Sequence, residues 1–576
     1  MSSLAKRLMG DHPPGLFVLF FAEMWERFCY YGMRTLLILY LTVELLFRDD
    51  PAYGVYGAYT ALVYAAPVLG GKLADELLGY RRAVILGGIL MAIGEFMLVG
   101  NGVLSEGNAL LYLGMGTIIV GNGYFKANIS SIVGRLYKDG DPRRDSGFTI
   151  FYMGINVGAV LATTVVAYVG STYGYKWGFG LAGLGMIIGL LVFLFGQGQL
   201  EGHGFPPDED KLHKPRLGPL SNWHLTVLGS LAVIPALYFL LVSEGAVTEA
   251  ADKGGWIATV AMIQNKLLFG LTFVDVLLFI TMTVVVVSLL RGAVKAGQDA
   301  EGEQKTVLRD RMVVFFILMI FNIMFWAMFE QAGTSLTLFA DRAVDREIFG
   351  WTMPTTMTQA FNPAFIIIFG SIFQWMWVAL DKRGKNPNIP LKFAFALFQL
   401  GLGFLLLTVG AAVAGDDFKI PLMFLVFMYL LHTTGELFIS PIGLSMVTKL
   451  APSHLTGTVM GAWFLSFAAA NKVGAGLAKL TGESTTKVVG LIETGFGTSE
   501  AHIEATLRPE MTRLVSIFYD ASSVSAETIT AMSVSAKEVV EKYVGTYQNF
   551  GIAIVASGVV LVLLSGWLNK RMHGVK

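Results

Sequence analysis

Four ionisable side chains crowd one apolar stretch near the start of the chain. The run FFAEMWERFCYYGMRTLLILY holds Glu23, Glu26, Arg27 and Arg34 among bulky hydrophobic residues. If that run crosses a bilayer, each unpaired charge near its centre costs about 2.5–3.5 kcal/mol, and four cost on the order of 10 kcal/mol. They must therefore pair with one another or face water inside a bundle. Glu23 precedes Arg27 by one helical turn, the better orientation for an ion pair. Glu23, Arg27, Tyr30 and Arg34 also recur on one helix face and so look into one cavity. Further charges stand in other apolar runs: Lys126 in VGNGYFKANIS, Glu330 in FWAMFEQAG and Glu436 in HTTGELFISP. The first half thus supplies the inward cations Arg27 and Lys126, besides Arg34, and the second half supplies the anions Glu330 and Glu436. A cavity positive on one wall and negative on the other suits a zwitterion with separated charges, such as an α-peptide. The competing use is structural pairing between helices, which the desolvation of so many charges in four spans disfavours. Asn156 and Asn362 fit either a ligand contact or an amide that packs helices. Asp275 reads as a helix-pairing residue, Lys472 is ambiguous, and His432 is given no role.

The elements that must position these groups follow from composition. Of 576 residues 54% are hydrophobic and only 15% charged, too few charges to cover a soluble surface of this size. The outer surface is therefore expected to use lipid as its solvent. A formal net charge of zero gives no basic face for nucleic acid. One cysteine, Cys29, excludes an intramolecular disulfide and a cysteine metal cluster. The opening MSSLAKRLMGDHPPG lacks an apolar core and a small-residue cleavage site, so no removable signal peptide is expected.

Runs of about 20 apolar residues, the length a bilayer core demands, fall near 15–47, 52–78, 83–104, 108–137, 146–170 and 177–197. Two follow near 221–243 and 264–291, and six more near 309–340, 353–380, 391–414, 421–449, 455–480 and 547–569. That makes about 14 spans, by the same length rule, with both ends on one side. Lys6, Arg7, Arg81, Arg82, the stretch Arg135 to Arg144, Arg291, Lys295, Lys305, Arg309, Arg311, Lys382 to Lys385 and Lys570 with Arg571 share one face. The opposite loops are poorer, with Arg48, Lys176, Arg342 and Arg346. The positive-inside rule then places both termini in the cytoplasm. The chain divides into a first half, 1–197, a linker plus hairpin, 198–308, and a second half, 309–576, the layout of two repeated halves. Residues 198–220, rich in Pro, Gly and charge, read as a mobile cytoplasmic loop. The polar stretch 481–546 falls outside the membrane and contains a helix-like pattern over 502–519; the plain reading is a small helical cap with no ligand of its own.

The motifs resemble a known family. Glu23-Met-Trp-Glu26-Arg27-Phe28-Cys29-Tyr30-Tyr31-Gly32 is similar to the ExxERFxYYG signature of the proton-dependent oligopeptide transporters, a branch of the major facilitator superfamily. GGKLADELLGYRR (70–82), FTIFYMGINVGA (148–159), GNGYFKANI (121–129), FNP (361–363) and GELFISPIG (435–443) resemble further family patterns, and the likeness runs from about residue 15 to 480 and resumes in the last span. Lys72, where an apolar residue is usual, and the 481–546 insertion depart from it. The resemblance implies an all-α integral membrane protein with the major facilitator fold, two six-helix bundles and an extra two-helix hairpin between them. It implies a proton-coupled symporter of di- and tripeptides in a bacterial inner membrane. The proton would be the coupling ion, with no cofactor, no metal and no obligate protein partner. Arg27 and Lys126 would hold the peptide carboxylate, with Tyr30 and Tyr64 nearby. Glu436, with Asn156 and Asn362, would hold the amino group, and Trp326 and Trp463 would line side-chain pockets. Glu23, Glu26, Arg27 and Glu330 would couple the proton. Arg34 with Glu330 would form an outer gate, and Lys126 and Glu436 would also take part in gating.

Other readings keep part of this. An importer of nitrate or of a modified amino acid would use Arg27 and Lys126 but leave Glu436 without work. A peptide sensor has only the long insertion behind it. A membrane enzyme lacks a nucleophile–base pair, metal cluster or P-loop, and a channel lacks a repeated pore loop or ring of like charges.

Overall fold

The computed structural model describes residues 11–575 apart from 102, 105–106, 139–140, 142, 254–258, 261, 269, 300–302, 416–417, 452–455 and 482–525. The pattern at 502–519 and the cations Lys6 and Arg7 lie outside the described residues. The fold is all-α. Fourteen long helices are described: α1 Gly15–Leu39, α2 Asp49–Leu73, α3 Tyr80–Gly100, α4 Ala109–Arg135, α5 Arg144–Leu161, α6 Tyr175–Gly196, α7 Asn222–Lys253, α8 Phe273–Asp299, α9 Glu303–Phe329, α10 Phe361–Lys382, α11 Ile389–Ala412, α12 Leu422–Leu450, α13 Thr456–Ala478 and α14 Ala526–Arg571. Among the described residues ten stretches are long and apolar enough to cross a membrane. The other long helices, α1, α2, α4 and α13, have the length and are more polar. They carry the charges of the first motif, a run of tyrosines, Lys126 and Lys472 respectively. The expected 14 spans are compatible with this set.

The chain forms two compact units, Met1–Leu37 with Ala58–Val276, and Ile38–Gly57 with Leu277–Lys576. Within the first, small residues let backbones meet, as is usual in membranes. A Cβ on Gly158 of α5 would lie 2.2 Å from the Met24 carbonyl oxygen of α1, so only glycine allows that approach. Helix α7 of the extra hairpin seats on α4, where Tyr124 and Ser230 share a hydrogen bond of 2.7 Å. Asp275, read from the sequence as a helix-pairing residue, closes a capping box at the start of α8. Its carboxylate accepts from the Thr272 N–H at 2.8 Å, and the Thr272 hydroxyl accepts from the Asp275 N–H at 3.2 Å. Between α4 and α5, the hydrogen bonds from Arg143 to Asp141 hold that half-buried carboxyl down to about 2.

The linker after α6 is not the loose loop its composition suggested. Arg81 at the start of α3 donates through Nε to the His203 carbonyl at 2.6 Å and stacks over the Phe205 ring at 4.3 Å. Arg82 pairs with Glu209 at 2.9 Å. Gly79, at φ +70°, lets the strap pass so closely that a Cβ there would sit 2.4 Å from the Pro206 nitrogen. Asp208 caps the short helix Glu209–His213. A polar, Pro/Gly-rich segment is thus tied down by specific partners, which composition cannot register. The stacked cation and the exposed ion pair together contribute about 1–1.5 kcal/mol. The double variant Phe205→Ala, Glu209→Gln is therefore expected to be cleaved by trypsin at Lys211 and Arg216 about tenfold faster. Unchanged cleavage would mean that the backbone bonds alone hold the strap.

In the second unit α11 packs on α12 and α14, and α9 on α13. Helix α9 breaks after Phe329 into a tight turn, Glu330–Gly333, and resumes as a short helix, Ser335–Ala343. Gln331 stabilises the break by donating to the carbonyls of Ala327 at 3.0 Å and of Gly474 in α13 at 2.8 Å. The last span, expected over 547–569, belongs to a helix that already begins at Ala526, so the described part of the insertion is a continuation of α14.

Candidate functional site

In the first unit, α1 gathers the motif. Glu23, Glu26, Arg27 and Tyr30 are all buried. Glu26 takes the guanidinium as a fork: Nη2 donates to Oε1 at 2.7 Å, while Nε contacts Oε2. The same Nε lies 3.2 Å from Glu23 Oε1. The sequence expectation paired Arg27 with Glu23 by helical spacing. The pair exists, but Glu26 holds the fork, because an adjacent side chain on the inner face reaches both nitrogens. Arg27 also stands over the Tyr30 ring, 5.1 Å from its centre. Lys126 sits over the Tyr64 ring at 4.4 Å, within electrostatic reach of Glu23, Glu26, Arg27 and Arg34. One arginine therefore serves two carboxylates in a space that also holds a second cation. Asn156 of α5 donates to its own helix, to the Tyr152 carbonyl at 3.0 Å.

Two members of this cluster escaped the sequence reading. Asn122 of α4, wholly buried, donates to Glu26 Oε1 at 3.1 Å. It lies one turn before Lys126 on the same face, a spacing that could have found it. Glu95 of α3, also wholly buried, accepts from the Cys29 thiol at 3.4 Å. It is a carboxyl inside an apolar run, the same signal that singled out Glu330.

In the second unit Asn362 of α10 donates to Glu436 Oε2 of α12 at 2.8 Å and to the Thr433 hydroxyl at 3.1 Å. Glu436 is buried and within electrostatic reach of Glu330 at the break of α9. The indole of Trp326 donates to Asn322 Oδ1 at 3.1 Å, and Asn322 donates to Ser466 at 2.9 Å. Trp463 is 1% exposed among Phe315, Phe393 and Phe467, so both tryptophans belong to an aromatic interior. His432 packs on the rings of Phe404 and Phe329. Thus the first unit brings together Glu23, Glu26, Arg27, Tyr30, Lys126 and Tyr64, and the second brings together Asn362, Glu436 and Glu330. The first group can hold an anion, and the second can hold an ammonium group.

A many-span helical protein whose buried charges line up in this way is a membrane transporter, and comparison with known proteins supplies the family. The POT family model matches residues 81–214 and 262–495, and the chain belongs to that family. It is 34% identical over 481 residues to dipeptide and tripeptide permease B of Xenorhabdus bovienii, covering 84% of this chain and 90% of that one. It is 36% identical over 488 residues to the uncharacterised transporter YclF of Bacillus subtilis, covering 83% and 90%. Among solved structures, the peptide transporter POT in complex with sulfate is 30% identical with a TM-score of 0.69, over 98% of this chain and 97% of that one. The fold is accordingly that of the major facilitator superfamily, with the extra helix pair α7–α8 inserted.

Proposed function

We propose that this protein is a proton-coupled symporter that imports di- and tripeptides by alternating access across a bacterial inner membrane, with both termini cytoplasmic. The observation that carries this reading is the sharing of Arg27 between Glu26 and Glu23. Protonation of one carboxyl weakens its hold on the guanidinium, which then takes a peptide carboxylate through charge-assisted, bidentate hydrogen bonds. Loss of that proton to the inside lets the carboxylate reclaim Arg27 and expel the peptide. Lys126 adds a second positive charge, and Tyr30 and Tyr64 fix the two cations. Glu436, oriented by Asn362, takes the peptide ammonium, and Asn156 adds an amide. Trp326 and Trp463 form the aromatic wall behind the side-chain pockets. Arg34 and Glu330 form the outer gate, with Lys126 and Glu436 contributing to gating. The relatives named as dipeptide and tripeptide permeases support the substrate class.

Uptake of labelled dialanine into liposomes, with and without an inward proton gradient, tests this directly. Accumulation that collapses on adding a proton ionophore is expected; no uptake in either condition would refute peptide import. Glu436→Gln is expected to reduce uptake of peptides with a free amino terminus by at least about tenfold, the worth of one charged hydrogen bond, while leaving any uptake of an N-acetylated peptide unchanged. Equal loss for both substrates would assign Glu436 to coupling rather than to the amine.

A further inference from the structure

One cluster of charge in the second unit is used by none of this. At one end of the α9–α14 seam, Asp310 stands between two cations, Arg309 at 3.6 Å and Arg571 at 3.8 Å, with a ring nitrogen of His573 at 3.1 Å. Arg311 donates to the His573 carbonyl at 3.4 Å, and its Nε is buried without a hydrogen-bond partner among the described residues. Lys570 is exposed beside them. Arg309 and Arg571 thus share one carboxylate, with Arg311 and the exposed Lys570 within two residues of them in the chain, a local excess of positive charge among the described residues.

The surroundings say what would neutralise it. Arg571 lies over the indole of Trp567 at 3.9 Å. Trp567 continues an exposed apolar stripe on α14 with Val560 and Leu563, which is 78% exposed. Residues 560, 563, 567 and 571 recur at helical spacing, so one face of α14 runs from apolar side chains through an amphipathic ring to a guanidinium. That order, hydrocarbon, indole, cation, matches the order acyl chain, glycerol, phosphate in a bilayer leaflet. We propose that the α9–α14 seam binds an anionic glycerophospholipid, its phosphate held by Arg309 and Arg571 and its acyl chain lying along Val560 and Leu563. Basic groups immediately outside a membrane helix are the recognised means of holding anionic headgroups, and the guanidinium fork suits phosphate better than an ammonium does. A free phosphate ion would use the same cations and ignore the stripe.

Melting of the purified full-length protein in detergent, titrated with dihexanoyl phosphatidylglycerol, dihexanoyl phosphatidylcholine or sodium phosphate, separates these cases. The wild type is expected to gain about 2–4 °C, saturably, with the anionic lipid and nothing comparable with phosphatidylcholine. The double variant Arg309→Gln, Arg571→Gln is expected to lose that gain, and Arg309→Lys, Arg571→Lys to keep a smaller part of it, since the charge stays and the fork goes, which controls for folding. Equal shifts with both lipids, or a full shift in the glutamine variant, would overturn the proposal. A full shift with sodium phosphate alone would overturn the lipid and leave an anion site. Melting needs no transport, so the result is independent of the proposed import activity.

Discussion

Dialanine uptake by the Arg27→Lys protein is expected to fall between about tenfold and a hundredfold, with the chain still folded. The substitution keeps the charge and removes the planar fork. In the wild type the fork meets both oxygens of Glu26 while Nε also faces Glu23. A lysine ammonium, compact and at the end of a flexible stem, engages one oxygen at a time. A hydrogen bond to a charged group contributes about 1.5–3 kcal/mol, which sets the size of the loss in carboxylate binding. The decisive comparison is counterflow, in which labelled peptide exchanges across liposomes with no proton gradient. If Arg27 binds the substrate, counterflow falls with gradient-driven uptake. If Arg27 only relays the proton, counterflow survives, and wild-type rates in both assays would remove Arg27 from the substrate path altogether.

The largest effect on stability is expected at Asp49. Its carboxylate, 5% exposed, receives both terminal nitrogens of Arg342, with Nη2 to Oδ1 at 2.7 Å, and the Tyr543 hydroxyl accepts from the same guanidinium at 3.1 Å. Asp49→Asn leaves a part-buried arginine, 17% exposed, without its counter-charge, a change that costs up to about 3 kcal/mol. The melting temperature in detergent is expected to drop sharply. The paired change Asp49→Leu, Arg342→Met removes both charges and is expected to restore most of the loss, because a well-packed apolar pair commonly replaces a buried ion pair at little cost. A double variant as unstable as the single one would show that shape, not charge balance, governs this joint.

How far the sequence could be read depended on the kind of information each feature needs. The all-α, many-span class, and the residues gathered on α1, were legible because bilayer thickness and the cost of buried charge act locally. Glu436 with Asn362 was legible through the family motifs, since nothing local links residues 74 positions apart. The fork of Arg27 on Glu26 was not, because helical spacing favours the i, i+4 partner, and rotamers settle the rest. Asn122 and Glu95 were missed for a different reason. Each needs a neighbouring helix placed beside α1 before its carboxylate or thiol partner can be seen. The strap over Gly79–Arg82 was hidden likewise, as polar composition describes a segment's solubility and not its docking. Asp49 with Arg342 lay beyond reach because residues 38–57 join the second unit although they come from the first part of the chain.

Helix α14 has one more consequence. At 1.5 Å per residue its 46 residues extend about 69 Å, more than twice the roughly 30 Å of a hydrocarbon core. Its middle is anchored, with Tyr543 and Tyr547 buried against Phe339 of the second unit. The turns before them, around the exposed Lys537 and Glu541, therefore extend the same helix beyond the length a hydrocarbon core needs. A fluorophore or spin label on the exposed Lys537 or Glu541 would thus report the surroundings of that extension separately from those of the span itself.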